Sequence, residues 1–557
     1  MFVVATAGHV DHGKSTLVRR LTGTWPDRLA EEQRRGLTIE LGFAWTEIDG
    51  RRIAFVDVPG HERFVGNMLA GVGPVPAVMF VVAADEGWMP QSSEHLDALD
   101  ALGVRHALLV ITKADLADPA RAIDQARERF AGTSLGEPPV AIAPDVRPAL
   151  VRLVDGLPEP DRTADVRLWI DRAFTVRGAG TVVTGTLAAG ALRVGDELDH
   201  GGQRVVVRGL QSLGEEHTEV AAVARVAVNL RGAKGIERGD TLLTPGVWLT
   251  TAEIDVALRA KGKLHRELVL HTGSAAIPVH VRPLGTDFAR LRLAYSLPLR
   301  VGDIGLLRDP GEHRIAAGIE VLDVRPPELG RRGAAKARAQ ALRTGVRPQI
   351  ARASELRAMG LPATGERIGD WIVNPVWWER KRQAAHETVA AWSAEHDIAA
   401  GMPVETLRQS LGLPAAELVS VLIHGSGLEL ADGRVGKPGV SLPRRVDKAV
   451  REIERRLADE PFRAPEAADL VELGLGPREL AAAVRAGRLT RIADGVVLGP
   501  DAFDRAADVL RGLPQPFTVS QARQALGTTR RVAVPLLEGL DARGLTKPCE
   551  RGERALA

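Results

Sequence analysis

The chain has 557 residues, 45% hydrophobic and 26% charged, with 73 Lys and Arg against 71 Asp and Glu for a formal net charge of +2. That length exceeds the ~250–300 residues at which a single core stops growing, so several domains are expected. The balanced charge excludes a uniformly basic nucleic-acid binder, leaving only local patches for such contacts. Cys549 is the only cysteine, which excludes an intramolecular disulfide framework and a cysteine-rich zinc site. With no basic region before the first apolar run and no apolar stretch of ~18 residues, a cytoplasmic protein that contacts no membrane is expected.

An apolar run, Phe2–Ala7, leads into Gly8-His9-Val10-Asp11-His12-Gly13-Lys14-Ser15-Thr16, and Leu17–Leu21 then takes helical spacing. Strand, tight loop and helix is the setting in which Gly-x-x-x-x-Gly-Lys-Ser becomes a phosphate-binding loop. Gly8 and Gly13 let backbone N–H groups turn inward at a helix N-terminus. Lys14 offers a charge to the β- and γ-phosphates, and the Ser15 hydroxyl offers a ligand to Mg²⁺. A chance Gly-rich turn is the alternative; the motifs that follow weigh against it.

Residues 28–45 begin polar and turn apolar after Thr38, whose hydroxyl suits a switch that grips Mg²⁺ only while a γ-phosphate is present. The next apolar strand delivers Asp57 to its carboxyl end, where α/β folds bind ligands. Asp57 would hold Mg²⁺ through water, and the Gly60 N–H would meet the γ-phosphate. His61 would orient the attacking water, with a structural histidine as the alternative. Runs at 77–84 and 106–115 predict two more strands, the second ending in Thr112-Lys113-Ala114-Asp115. Asp115 can accept two hydrogen bonds from guanine that adenine does not offer, and the Lys113 stem can cover the base, so GTP is favoured over ATP.

Together GHVDHGKST, RGLTIE, DVPGHERF and TKAD resemble the translational GTPases of the elongation factor Tu group. The resemblance implies that the whole stretch Gly8–Thr16, with His9, Val10, Asp11, His12 and Thr16, surrounds the nucleotide. It also implies that Val10 and Leu37 flank His61 as the catalytic residue. Thr112 stands where many GTPases have Asn, and Val140-Ala141-Ile142-Ala143-Pro144 replaces the usual Ser-Ala of the fifth motif.

After Arg162 short alternating runs separated by glycines predict two β-barrels. Within the group, Ile170-Asp171-Arg172-Ala173-Phe174 and Arg225-Val226-Ala227-Val228-Asn229-Leu230 are most similar to the selenocysteine-specific elongation factors. That similarity implies a charged pocket for the aminoacyl end of the tRNA at Asp171, Arg172 and Arg225. A selenol is an anion at neutral pH, so guanidiniums would favour it over a neutral serine. A barrel-surface ion pair is the alternative. The second barrel helps, by the same resemblance, to hold the tRNA; His271, His280 and His313 read as structural or phosphate-facing.

From Arg325 onward the pattern turns helical, and four segments align: Ser354–Pro362, Glu405–Pro414, Ala468–Pro477 and Ser520–Thr529. Short helix, second helix and small hairpin, four times over, predict a tandem of winged-helix modules. The last copy carries Arg530 and Arg531 at its second helix, with Arg543, Lys547, Arg551 and Arg554 around its wing. A solvated charged face is one reading; the family resemblance implies that this module grips an mRNA hairpin.

The expected architecture is multidomain: an α/β P-loop GTPase domain at 1–162, β-barrels at 163–250 and 251–325, and winged helices at 326–390, 391–442, 443–503 and 504–557. The function implied is GTP-dependent delivery of selenocysteyl-tRNA to the ribosome at UGA codons marked by an mRNA hairpin, by a monomer using GTP and Mg²⁺. A different translational GTPase and a GTP-sensing regulator without a tRNA substrate are the rivals.

Overall fold

The computed structural model describes residues 1–26, 40–59, 65–178 without 73–74, 180–260, 262–312, 314–396, 401–437, 442–549 and 552–557. They divide into two units, Met1–Thr364 and Gly365–Ala557.

The first unit opens with β1 (Phe2–Ala7), α1 (Lys14–Thr22), β2 (Gly42–Ile48), β3 (Arg51–Asp57), α2 (Val65–Val72), β4 (Ala77–Ala83), α3 (Pro90–Ala101), β5 (His106–Thr112), α4 (Pro119–Phe130), β6 (Val140–Ile142) and α5 (Arg147–Asp155). The sheet runs β2-β3-β1-β4-β5-β6, parallel throughout except for the β2–β3 hairpin, which turns at Asp49-Gly50. β4 reads AVMFVVA and is buried at every residue. This is what a central parallel strand requires when helices cover both faces. Residues of α2, α3 and α4 pack on one face, and those of α1 and α5 on the other. The carboxyl ends of β1 and β3 place Gly8 and Asp57 side by side, the position at which open α/β sheets bind ligands.

A seven-stranded antiparallel sheet follows, built around Arg167–Val176, Gly180–Leu187, Ala224–Arg231 and Gln203–Ser212. Ala224–Arg231 alternates buried and part-exposed residues, the period of a strand with one face on a core. Next, six strands close a barrel in the order Thr250–Ala260, Phe288–Pro298, Ala275–Pro283, Glu267–Thr272, Ile304–Asp309, Arg314–Asp323. Arginine–carboxylate pairs join the two barrels. Arg167 grips Asp303 with both terminal nitrogens at 2.5 and 2.6 Å. Asp165 receives Arg300 at 2.9 Å and Arg357 at 2.5 Å. Trp248, between the barrels, has the Arg300 guanidinium 3.5 Å and the Arg167 guanidinium 4.8 Å from its ring centre.

Past the barrels the structure departs from the expected tail. Helices α6 (Ala334–Thr344) and α7 (Ala353–Ala358) belong to the first unit rather than to a free winged helix at 326–390. Arg338 of α6 bonds Asp255 at 2.6 Å and also Asp323, while Arg290 holds both Asp255 oxygens at 2.7 and 3.0 Å. Ala339 and Leu342 pack on Leu284 and Phe288. After α7 no second helix precedes the hairpin Glu366–Val373, because Gly360 and Gly365 take positive φ and Pro362 interrupts the run. The first of the four repeats is therefore not a helix-turn-helix.

In the second unit, α8 (Pro375–Glu395) buries Trp378, Ala385 and Val389 and packs on α9 (Val404–Leu411) and α10 (Glu417–Ile423). Its 21 residues straddle the expected boundary at 390/391, which is thus misplaced. The next helices are α11 (Arg444–Asp459), α12 (Ala467–Glu472), α13 (Pro477–Arg485), α14 (Ala502–Arg511), α15 (Val519–Ala525) and α16 (Arg530–Ala542). The expected boundary at 503/504 cuts α14, whose Phe503, Ala506 and Leu510 are buried with residues of α15 and α16. Three helices and a hairpin make each of the last three modules. The last two share one core, in which Ile453 and Leu480 join Phe517 and Leu536.

Asp255 is fully buried between two guanidiniums. Asp255→Ala removes the buried carboxylate that both share, leaving Arg338 with Asp323 and Arg290 with the Pro327 carbonyl and Glu253, and is expected to cost about 3–5 kcal/mol, read as a lowered thermal midpoint. An unchanged midpoint would contradict the packing of α6 on the barrel.

Candidate functional site

The loop between β1 and α1 is shaped by what a side chain would meet. Gly8 has φ +122°, and a Cβ there would fall 2.2 Å from the Val81 carbonyl oxygen. Gly13, at φ +84°, ends the loop as α1 begins. Asp11 takes φ 64°, a conformation that Asp tolerates better than most residues. Lys14 is buried, and its ammonium donates to the Gly8 and His9 carbonyls at 3.0 and 2.7 Å. Ser15 donates to one Asp57 oxygen at 2.6 Å and Thr6 to the other at 2.7 Å. The fully buried Asp57 carboxylate is thereby held at the loop. Thr16 lies exposed on α1.

Thr112, at the end of β5, donates to the His12 carbonyl at 2.7 Å and so ties the fourth motif to the loop. Lys113 takes φ 54° and pairs with Asp85 and Glu86 at 3.2 and 3.3 Å. Asp115 is exposed beyond it. The strand ends at Thr112 rather than at Asp115, which leaves Lys113 and Asp115 on a loop. Leu37, Thr38, Gly60, His61, His313 and Arg551 lie outside the described residues.

Two residues at this site were missed in the sequence. His95 of α3, fully enclosed, accepts the Gly8 N–H on Nδ1 at 3.0 Å, and Gln91 accepts the Val10 N–H at 3.2 Å. Their i, i+4 spacing was the one available signal, since it places both on one helix face. Burial, with Lys14 and His9 nearby, pulls His95 down to about 3. Burial likewise takes His12 to about 4.

The second set of predicted residues meets at the seam between the first domain and the first barrel. Arg225 bonds both Asp171 oxygens, one of them at 2.7 Å, and Thr184 donates to Asp171 at 2.8 Å. The Arg225 guanidinium lies 3.9 Å from the centre of the Phe43 ring. Arg172 reaches across to Glu40 at 2.9 Å. Arg238, also missed in the sequence, bonds Asn67 and the Gly66 carbonyl, the latter at 3.0 Å. A cavity of 350 Å³ opens among Glu40, Asn67, Asp171, Arg172 and Arg238. Arg225 stands behind it, fixed to Asp171. The three expected residues are therefore together, and Glu40, Leu41 and Asn67 of the first domain supply a third of the cavity's lining.

The third set divides. Arg530 and Lys547 are exposed and form no ion pair among the described residues. Arg531 turns inward along the module junction to Glu466 and the Pro465 carbonyl, both at 2.9 Å. Arg543 lies over the Phe503 ring at 3.5 Å, and Arg554 pairs with Asp541. No helix among the described residues is long and apolar enough to cross a membrane.

Comparison with known proteins bears on each region. Residues 1–243 match the family described as Elongation factor Tu GTP binding domain, and residues 508–548 match Elongation factor SelB, winged helix. A selenocysteine-specific elongation factor of Escherichia coli is 31% identical over 98% of this chain and 97% of that protein. One from Desulfomicrobium baculatum is 38% identical, over 58% of this chain and about half of its own length, 55%. The crystal structure of a bacterial selenocysteine-specific elongation factor covers 100% of this chain and 99% of that one, with a TM-score of 0.74 at 24% identity, a likeness of fold.

His12, His95 and His271 are all buried, and burial depresses each below its usual 6.5. An unfolded chain then binds more protons than the folded one below pH ~6.5, so the stability these histidines support is present above that pH and lost as it falls towards ~4. The unfolding free energy should fall from pH 7 to 4.5 by up to about 1.4 kcal/mol per pH unit for each histidine, read as a lowered thermal midpoint. A flat profile would contradict their buried, neutral state.

Proposed function

The chain belongs to the selenocysteine-specific elongation factor family, and from that premise we propose that it carries selenocysteyl-tRNA to the ribosome as a GTP complex. Delivery is at UGA codons beside an mRNA hairpin that the last module holds. The cavity at the seam is the observation that carries this reading. Arg172 and Arg238 face it beside Glu40 and Glu237, and Arg225 backs it, fixed to Asp171. The Arg172 guanidinium, once released from Glu40, favours a selenolate over serine's neutral hydroxyl. An entering selenolate takes the place of Glu40 beside Arg172. Because Glu40 and Asn67 belong to the GTPase domain, the shape of the cavity follows that domain's conformation.

In the GTPase domain, inward N–H groups of the Gly8–Ser15 loop receive the phosphates. Lys14 exchanges its two carbonyl partners for phosphate oxygens. Asp115 reads guanine, and Lys113 covers the base from the position its positive φ gives it. Mg²⁺ fits the donors here: the Ser15 hydroxyl and the Asp57 carboxylate are hard oxygens 2.6 Å apart, with Thr38 as the switch ligand by sequence. Bound there, Mg²⁺ supplies neutralisation of phosphate charge. His61 orients the attacking water, and its neighbour Gly60 follows the γ-phosphate.

Tethering to a hairpin raises the factor's local concentration at one codon, so delivery competes with termination there and not elsewhere. Arg530 and Lys547 are placed to meet RNA phosphates, whereas Arg531 and Arg543, exposed as well, are engaged by Glu466 and by the Phe503 ring.

Hydrolysis of the aminoacyl ester tests the cavity. With a GTP analogue bound, selenocysteyl-tRNA should be protected and the same tRNA charged with serine should not; Arg172→Ala with Arg225→Ala should remove the protection. Equal protection of both would exclude a selenol-reading cavity. For the hairpin, Arg530→Ala and Lys547→Ala should each lower the salt slope of RNA binding by about 0.7–0.9, and Arg531→Ala by less. Equal slopes in all three would contradict this division.

A further inference from the structure

Helix α3 touches the first domain's loop at one end and the second barrel at the other. At its start, Gln91 and His95 lie on one face and accept the N–H groups of Val10 and Gly8 at 3.2 and 3.0 Å. At its end, the Ala101 carbonyl accepts Arg259 of the strand Thr250–Ala260 at 2.8 Å. The same carbonyl lies against Gly318, where a Cβ would approach it to 2.3 Å. The rise from residue 91 to residue 101 is about 15 Å. The core between the helix and the barrel is continuous: Leu306 of the barrel is fully buried in the same cluster as Leu96, Ala98 and Leu99 of α3.

The two N–H groups consumed by α3 are informative. A phosphate nest needs successive backbone donors turned inward, and the loop can reach that shape only if donors on its outer side have other acceptors. His95 and Gln91 supply those acceptors. His95 can do so because it is neutral, which leaves the Nδ1 lone pair free to accept. Neither residue reaches the reacting atoms; they act through the backbone of Gly8 and Val10.

We infer that His95 and Gln91 are positioning residues that hold the phosphate loop in its binding shape, and that α3 thereby transmits the seating of the second barrel to the nucleotide site. This rests on the loop binding GTP and GDP, and is independent of the tRNA reading. The helix is a rigid element with a buried face, so a displacement at Ala101 is carried to residues 91 and 95 rather than absorbed between them.

The test is a double-mutant cycle on GDP release from the full-length protein, followed with a fluorescent GDP analogue. His95→Leu leaves the buried Gly8 N–H without an acceptor and should speed release about tenfold. His95→Asn, which returns an acceptor oxygen, should bring the rate back to within about threefold of the parent. Gly318→Ala pushes on Ala101 and should alter the rate in the parent but not in His95→Leu with Gln91→Ala, where the link is cut. Melting of each nucleotide-free variant checks folding; Gln91→Ala alone, whose side chain is only part-buried, is the substitute if His95→Leu does not fold. Unchanged release in His95→Leu or Gln91→Ala, or no recovery in His95→Asn, would overturn the positioning role. An equal effect of Gly318→Ala in both backgrounds would overturn the transmission.

Discussion

A guanidinium withdrawn from water must find its acceptors, and that requirement fixes how the first unit is assembled. Each of its three seams is crossed by arginines. Arg172 and Arg238 of the first barrel meet Glu40, Asn67 and the Gly66 carbonyl of the GTPase domain. Arg167 and Arg300 meet Asp303 and Asp165 between the barrels. Arg259 of the second barrel meets the Ala101 carbonyl and returns to the GTPase domain. The seams close a ring. Buried pairs of this kind add little net stability, because desolvation offsets attraction. Breaking one partner leaves a charge stranded, so what they secure is orientation.

The ring explains where the two functional regions sit. The cavity lies in one seam, and helix α3, which supports the phosphate loop, lies along another. A change at the nucleotide therefore reaches the cavity through Glu40 and Asn67, and a change at the second barrel reaches the nucleotide through α3. In the proposed reading, selenocysteine would be told from serine by charge, through guanidiniums that carboxylates hold in place. Asp171 is the residue that keeps Arg225 in place, and Thr184 keeps Asp171 in place.

What the sequence made legible was local. The phosphate loop and Asp57 at the end of its strand were each read from fewer than twenty consecutive residues, and the two-barrel pattern from short alternating runs repeated after Arg162. His95 and Arg238 were not legible, because their partners Gly8 and Gly66 lie 87 and 172 positions away. The tail was read as four equal copies because their first helices look alike. The first copy lacks a second helix, since glycines and Pro362 follow α7 directly, and α6 is claimed by the barrel through Arg338. The expected boundaries cut α8 and α14 because the four aligned segments mark only the short helices, and each long helix ahead of them lies outside the repeat. Arg531 was read as an RNA contact from its place at a helix start. A carboxylate on the preceding module, Glu466, holds it instead.

The central claim is that one cavity reads both the aminoacyl group and the nucleotide state. Equilibrium dissociation constants for one tRNA body, charged with selenocysteine or serine, measured with GTP analogue and with GDP, address it most directly. The account predicts tight binding in one of the four combinations only, selenocysteine with the GTP analogue. Tight binding of selenocysteyl-tRNA irrespective of nucleotide, or of seryl-tRNA whenever the GTP analogue is present, would contradict it.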